Sequence, residues 1–385
     1  MAGRSISNGR MTLLSSLIVG ALVLGAVPAT ATAANRTTSR ASRQSAEPML
    51  LSRAGASSVV YVFAETGCAK ARCASLYRSN IGATSFTSVT PPPVKLDKGA
   101  FPNSTLEKLV FANPNDGYAL VSYGNFSVTL YATSNDAHTW RRAARIVKGE
   151  MTLFVSSSQI FISTVHCKPR TMDCTQWVTR RSTLAAKRWT TIPRLWTTGT
   201  GNNDVVYGPA LAAYGDRVWE FETGPEIDAW TSRNDGRTFT RRREPKLDSA
   251  AGCSFTTMSS TSMWAECPTG MQVSFLHSSD GGVQWSDIHQ TQFFGTGGGA
   301  FAPVSSDVAY LDYGVAIGPH NVFRLTEGGR DATPVADVKC ETAPSMIFTN
   351  ASDGLMLCNQ NYTSIQLRRT NDGGVLWNSV NLPAD

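Results

Sequence analysis

The strongest constraint on this chain is a short phrase that keeps returning: a hydroxyl residue, then Asp or Asn, then Gly, then an aromatic. Ser278 to Trp285 reads S-S-D-G-G-V-Q-W, and Thr370 to Trp377 reads T-N-D-G-G-V-L-W. Ser232 to Phe239 reads S-R-N-D-G-R-T-F, and Thr133 to Trp140 reads T-S-N-D-A-H-T-W. Counting the Trp189 between them, the closing aromatics Trp140, Trp189, Phe239 and Trp285 are 49, 50 and 46 residues apart, and Trp377 follows after a double interval. A self-similar period of this length marks a repeat architecture, in which each unit buries its apolar face only against its neighbours.

The period locates three worn copies. Ser182 to Trp189 keeps the hydroxyl and the Trp but lacks Asp and Gly. Thr326-Glu327-Gly328-Gly329 fills the double interval without an aromatic. Arg78-Ser79-Asn80-Ile81-Gly82, followed by Phe86, begins the series. That makes seven units. Within a unit, alternating apolar runs such as Leu109-Val110-Phe111, Tyr118 to Val121 and Val128 to Tyr131 are separated by turns such as Pro114-Asn115-Asp116-Gly117. Period-2 runs broken by Asn/Asp/Gly are strand and hairpin signals. Four strands per ~45 residues is the spacing of a propeller blade. The expected fold is therefore an all-β, seven-bladed propeller over residues 49–385, with the phrase joining the third and fourth strands of a blade.

The phrase has a local physical purpose. The Asp or Asn side chain can accept from backbone N–H groups of its own turn, Gly supplies positive φ, and the aromatic opens the next strand with a large apolar face. The pattern resembles the Asp-box, or bacterial neuraminidase repeat, of sialidases, sortilin-type receptors, some glucan hydrolases and photosystem II assembly factor-like proteins. The resemblance implies that Asn135, Trp140, Asn234, Gly236, Phe239, Asp280, Gly282, Trp285, Asp372, Gly374 and Trp377 are folding residues on the blade periphery, away from the ligand face.

Residues 1–33 have the form of a secretory signal: Arg4 and Arg10, an apolar run from Leu13 to Val27, and an Ala31-Thr32-Ala33 cleavage site. The apolar run is shorter than the ~20 residues a membrane span needs, so no span is expected after cleavage. Residues 34–48 are rich in Thr, Ser, Arg and Ala and read as a flexible linker. These two segments hold most of the net charge of +6, which leaves no footprint for nucleic acid. Arg241-Arg242-Arg243 reads as a solvated outer strand. The eight cysteines form four close pairs: Cys68 with Cys73, Cys167 with Cys174, Cys253 with Cys267, and Cys340 with Cys358. An even count, pairing within units and an export signal point to four local disulfides. Short spacing without neighbouring histidines argues against a metal site, His166 beside Cys167 being the one feature in its favour.

Sialidase chemistry needs an arginine triad, a Tyr–Glu pair and an Asp acid. The F/Y-R-I-P motif that brings one of those arginines is missing. Ile192-Pro193-Arg194 has the order changed, and Arg53 sits in L-S-R-A-G. No sialidase residue is therefore carried over. A broader glycosidase requires two facing carboxylates, for which Glu222, Glu226 and Asp312 are candidates, with Glu220 and Asp228 nearby. The connections between blades and between the second and third strands carry Tyr123, Trp196, Tyr207, Phe293, Phe294, Tyr313 and Tyr362, aromatics suited to a glycan or protein partner. Gly295 to Gly299 reads as a loop, and no cofactor fingerprint stands out. The expectation is a secreted or extracytoplasmic, monomeric, non-catalytic propeller that binds a glycan or an envelope protein, without cofactor, metal or nucleic acid. The alternatives are a secreted glycoside hydrolase, sialidase-like or glucan-cleaving, and an assembly-factor role.

Overall fold

The structure is a computed structural model and describes residues 46–68, 72–82, 85–96, 104–124, 127–147, 149–166, 177–192, 210–221, 228–243, 253–269, 272–288, 300–313, 321–360 and 364–383. Blade I is β1 (Glu47–Arg53), β2 (Val59–Gly67), β3 (Arg72–Asn80) and β4 (Thr87–Val89). Blade II is β5 (Ser104–Phe111), β6 (Asp116–Tyr123), β7 (Ser127–Ser134) and β8 (Arg141–Ile146). Blade III is β9 (Gly149–Val155), β10 (Gln159–His166), β11 (Val178–Thr183) and β12 (Thr190–Thr191). Blade IV is β13 (Ala210–Tyr214), β14 (Arg217–Phe221), β15 (Asp228–Ser232) and β16 (Thr240–Arg243). Blade V is β17 (Ser254–Thr257), β18 (Met263–Thr269), β19 (Gln272–Ser278) and β20 (Ser286–Asp287). Blade VI is β21 (Phe301–Pro303), β22 (Ala309–Tyr313), β23 (Asn321–Thr326) and β24 (Asp331–Asp337). Blade VII is β25 (Thr342–Phe348), β26 (Gly354–Gln360), β27 (Ser364–Thr370) and β28 (Asn378–Val380). Each blade is a four-stranded antiparallel meander of consecutive strands. The fold is a seven-bladed β-propeller.

First strands touch first strands around the ring (β1 with β5, β5 with β9, β9 with β13, β13 with β17, β21 with β25, β25 with β1), so they line the axis. The core lies in the seams between blades. The seam of blades I and II joins Tyr61, Phe63 and Leu76 to Leu106, Leu109 and Phe111. Tyr61 stacks on Phe111 at 3.5 Å, Phe221 on Phe255 at 4.1 Å, and Tyr310 on Phe348 at 3.8 Å. In each of these seams the tryptophan that closes the repeated phrase meets the stacked ring edge-on, as Trp140, Trp285 and Trp377. The edge-on contacts suit the aromatic quadrupole, and each such pair contributes about 0.5–1.5 kcal/mol beyond its buried area.

An aromatic two or three residues into the second strand reaches the next blade. Tyr61 donates to the Pro114 carbonyl at 2.7 Å and to Asp136, and Tyr118 donates to the Leu184 carbonyl. Trp219 and Trp264 donate to the Gly281 and Ser305 carbonyls, both at 2.9 Å, and Tyr310 donates to that of Ala351 at 2.6 Å. Phe161 takes the same place in blade III against Gly236. The ring closes without strand exchange. Leu51, Val60 and Val62 pack on Leu355, Leu357 and Leu367, Arg53 donates to the Phe348 carbonyl at 3.1 Å, and Tyr77 donates to that of Pro383 at 3.0 Å.

Among the described residues three disulfides are formed: Cys68–Cys73 between β2 and β3, Cys253–Cys267, and Cys340–Cys358. Cys253 and Cys340 lie just before their first strands rather than in them. Such bridges fit an oxidising compartment. Cys167 and Cys174 lie outside the described residues.

Candidate functional site

The two ends of the ring differ in how their polar groups are partnered. At the end carrying the repeated turns, the partners are local. Ser278 Oγ donates to Asp280 Oδ1 at 2.9 Å, and the same carboxylate oxygen accepts from the N–H groups of Val283 and Gln284, both at 2.9 Å. Ser278 Oγ also accepts from Gly282 N at 2.9 Å. Thr370 and Asp372 repeat this with Gly374 and Leu376, and the Leu376 N–H, donating to Asp372 Oδ1, holds that carboxyl below the usual carboxylate range. Where Asn replaces Asp, its spare amide N–H needs an acceptor. Asn135 donates to Thr139 Oγ1 and Asn234 to Thr238 Oγ1, both at 2.9 Å. Gly236, Gly282 and Gly374 sit at φ of 70°, 85° and 88°. Ala137, where the copy ending at Trp140 lacks its Gly, and Ala186, in a worn copy, take the same left-handed region, at 59° and 47°. The hydroxyl and carboxylate or amide groups that shape these turns thus find partners within a few residues.

At the opposite end, the second strands finish in polar residues drawn from different blades. Glu65 pairs with Arg72 at 2.7 Å. Tyr123 and Tyr131 share a hydrogen bond of 3.0 Å, and the Tyr123 hydroxyl is pushed up to about 12, by burial first and then by Tyr131. Glu266 lies in the seam of blades V and VI on the face of Trp264, and burial pushes its carboxyl up to about 7. Glu220 and Asp312 are both fully buried. Glu220 alternates with Val218 toward blade III, whereas Asp312 alternates with Tyr310 toward blade VII. They therefore occupy separate seams. Tyr123 and Tyr313 are half-buried against the seam cores of blades I–II and V–VI. The Asp228 side chain, together with Glu222, Glu226, Trp196, Tyr207, Phe293, Phe294 and Tyr362, lies outside the described residues.

The axial wall on this side has a feature the sequence pattern did not reveal. The first strands of three consecutive blades break register at one level: β25 between Thr342 and Ser345, β1 between Pro48 and Leu50, and β5 between Leu106 and Lys108. A bulge bends its strand and re-aims a side chain. Here Pro344, Met49 and the adjacent pair Glu107 and Lys108 are turned out to solvent. Ser122 Oγ donates to Glu107 Oε1 at 2.5 Å, and Lys108 Nζ donates to the Leu153 carbonyl of blade III at 2.9 Å. The sequence signal was present as two adjacent charged residues inside the alternating run Leu106 to Phe111.

Among the described residues, no cluster of three His, Cys, Asp or Glu side chains is placed to hold a metal. No helix among them is long and apolar enough to cross a membrane. No family model and no curated protein matches the chain. Solved structures match over most of its length. One is from work on two prolyl endopeptidases, with a TM-score of 0.58 at 13% identity, covering 88% of this chain and 50% of that one. The β-propeller domain of the trilobed protease from Pyrococcus furiosus, described as having an open velcro topology, gives 0.56 at 7%, covering 88% and 96%. YCF48 from Cyanidioschyzon merolae gives 0.50 at 14%, covering 75% and 86%. The chain spans half of the prolyl endopeptidase chain. At these identities the likeness establishes the architecture, a seven-bladed β-propeller, and leaves function to the site.

Proposed function

We propose that this protein is an exported, non-catalytic propeller of the Asp-box type that binds a protein or glycan partner at the end opposite its repeated turns. The carrying observation is the bulged arc of blades VII, I and II, which turns Pro344, Met49, Glu107 and Lys108 toward solvent. In the repeated turns, by contrast, Asp280 and Asp372 are bonded by N–H groups of their own turns. Export is supported by the form of residues 1–33 and by the three disulfides.

Partner capture from envelope extracts, run beside a glycan array, tests the reading. The double variant Met49→Ala, Glu107→Gln should lose the ligand, and Gln284→Ala, in the turn of blade V, should keep it. The reverse pattern would sink it. Sequencing the N-terminus of the exported protein should show cleavage after Ala33. One observation favours the hydrolase alternative: a carboxyl near 7, as at Glu266, suits a general acid. Turnover of any glycoside that Glu266→Gln abolishes would establish that alternative.

A further inference from the structure

We propose that the axial channel holds a carboxylate seat built on Lys108, and that its ligand is a monocarboxylate carried on an apolar chain. The inference deepens the binding reading above and rests on it.

The bulge in β5 breaks strict alternation, so Glu107 and Lys108 both face solvent, whereas Leu106 and Leu109 stay buried. An ammonium has three N–H donors. One of them goes to the Leu153 carbonyl at 2.9 Å, which fixes the side chain across the seam of blades II and III. Among the described residues Lys108 has no ion pair, since the two bridges formed are Arg72–Glu65 and Arg78–Asp136. Lys108 is exposed on a strand that lines the axis, yet desolvation by the surrounding protein still lowers its pKa. An anion would restore what the cation lacks.

The surroundings narrow the choice of anion. Glu107, next in the chain and bonded to Ser122, opposes a dianion such as phosphate but tolerates a single negative charge. Met49, 40% exposed, and Pro344 lie on the same bulged arc and offer apolar contact to the chain that bears the carboxylate.

The test is competitive labelling with trinitrobenzenesulfonate near neutral pH, read by peptide mass mapping. Lys108 should react severalfold faster than the exposed Lys95, Lys187 and Lys339. Saturating propionate should slow Lys108 alone by roughly tenfold, and the neutral isostere propionamide should not. Tri-alanine with a free carboxyl end forms a second arm. Protection at lower concentration by propionate assigns a small metabolite, and by tri-alanine a chain terminus. Equal reactivity of all four lysines, or equal protection by propionamide, would overturn the seat.

Lys108→Met removes both the charge and the bond to Leu153, so Lys108→Arg serves as the folded control. The propionate signal in saturation-transfer NMR should survive in Lys108→Arg and vanish in Lys108→Met. Loss in both, with unchanged melting, counts against the proposal. Failed labelling with partner capture intact removes the carboxylate and leaves the binding face. Lost capture with labelling as expected removes the partner reading instead.

Discussion

The seam between blades V and VI contains both ends of the ring in miniature. At the turn end, His277 is buried beneath Gly328. Its Nε2 is 3.2 Å from Ser262 Oγ, and its ring lies 4.4 Å from Trp264. Near the other end of the same strand pair, Glu266 is half-buried on the Trp264 face and accepts no hydrogen bond from the described residues. Burial disfavours the charged form of both, but the sign differs because one is a base and the other an acid. One end of the seam is consolidated by neutral pH, and the other is strained by it. The turn end is built to hold, whereas the opposite end keeps groups whose state responds to surroundings.

The contrast can be broken most severely at the turn. Gly282 is at φ +85°, and a Cβ there would stand 2.6 Å from Met263 Cε. Gly282→Ala combines left-handed strain with overpacking and should cost about 3 kcal/mol, measured by denaturant unfolding. A change in midpoint too small to resolve would show that the turn yields.

Glu266→Gln should act in the opposite direction. The carboxyl is raised to about 7 in the fold from an ordinary 4.5. Its favourable contribution is therefore complete below 4.5 and is lost as pH rises through 7. The variant should gain about 2 kcal/mol at neutral pH and nothing near pH 4. Equal gain at both values would place the effect in packing rather than in the proton.

Asp280→Ala removes the acceptor of two backbone N–H groups, and should cost about 1 kcal/mol. The same change at Gln284, whose side chain makes no bond in the turn, should cost nothing measurable.

The smallest effect belongs to His277. Burial lowers its pKa, with Asp307 and the Ser306 carbonyl opposing this and Arg330 reinforcing it. Its contribution is present above the ordinary value of 6.5 and fades as pH falls through the folded value. Melting of the parent protein should decline below pH 6.5 by a margin under about 1 kcal/mol, and His277→Gln should flatten that decline. Opposite pH slopes for the Glu266 and His277 variants would confirm the contrast. Parallel slopes would remove it.

The fold was legible because its signals are short-range. Asp280, Gly282 and Trp285 satisfy one another or their own strand within eight residues, so a period could count blades even where Ser182 to Trp189 has lost its Asp and Gly. The cysteine pairs Cys68–Cys73, Cys253–Cys267 and Cys340–Cys358 were readable for the same reason. The candidate site was less legible. Tyr123 and Tyr313 stood out as aromatics, but their half-burial against seam cores depends on the neighbouring blade. Asp312 and Glu220 looked alike in sequence, yet alternation sends them into different seams. The aromatic that opens every second strand from Tyr61 to Tyr310 went unread, because its partners, such as Pro114 and Ala351, lie some forty or more residues away.

By itself, the sequence determined the number of blades, the turn that ends each third strand and the local cysteine pairing, since each of these is a bargain among neighbours in the chain. Only the tertiary structure decided how the ring closes, through Arg53 on the Phe348 carbonyl and packing of blade I on blade VII rather than a shared sheet. It alone aligned the bulges of blades VII, I and II at one level of the axis. Both are relations between strands far apart in sequence, and no local pattern encodes the angle at which seven twisted sheets meet.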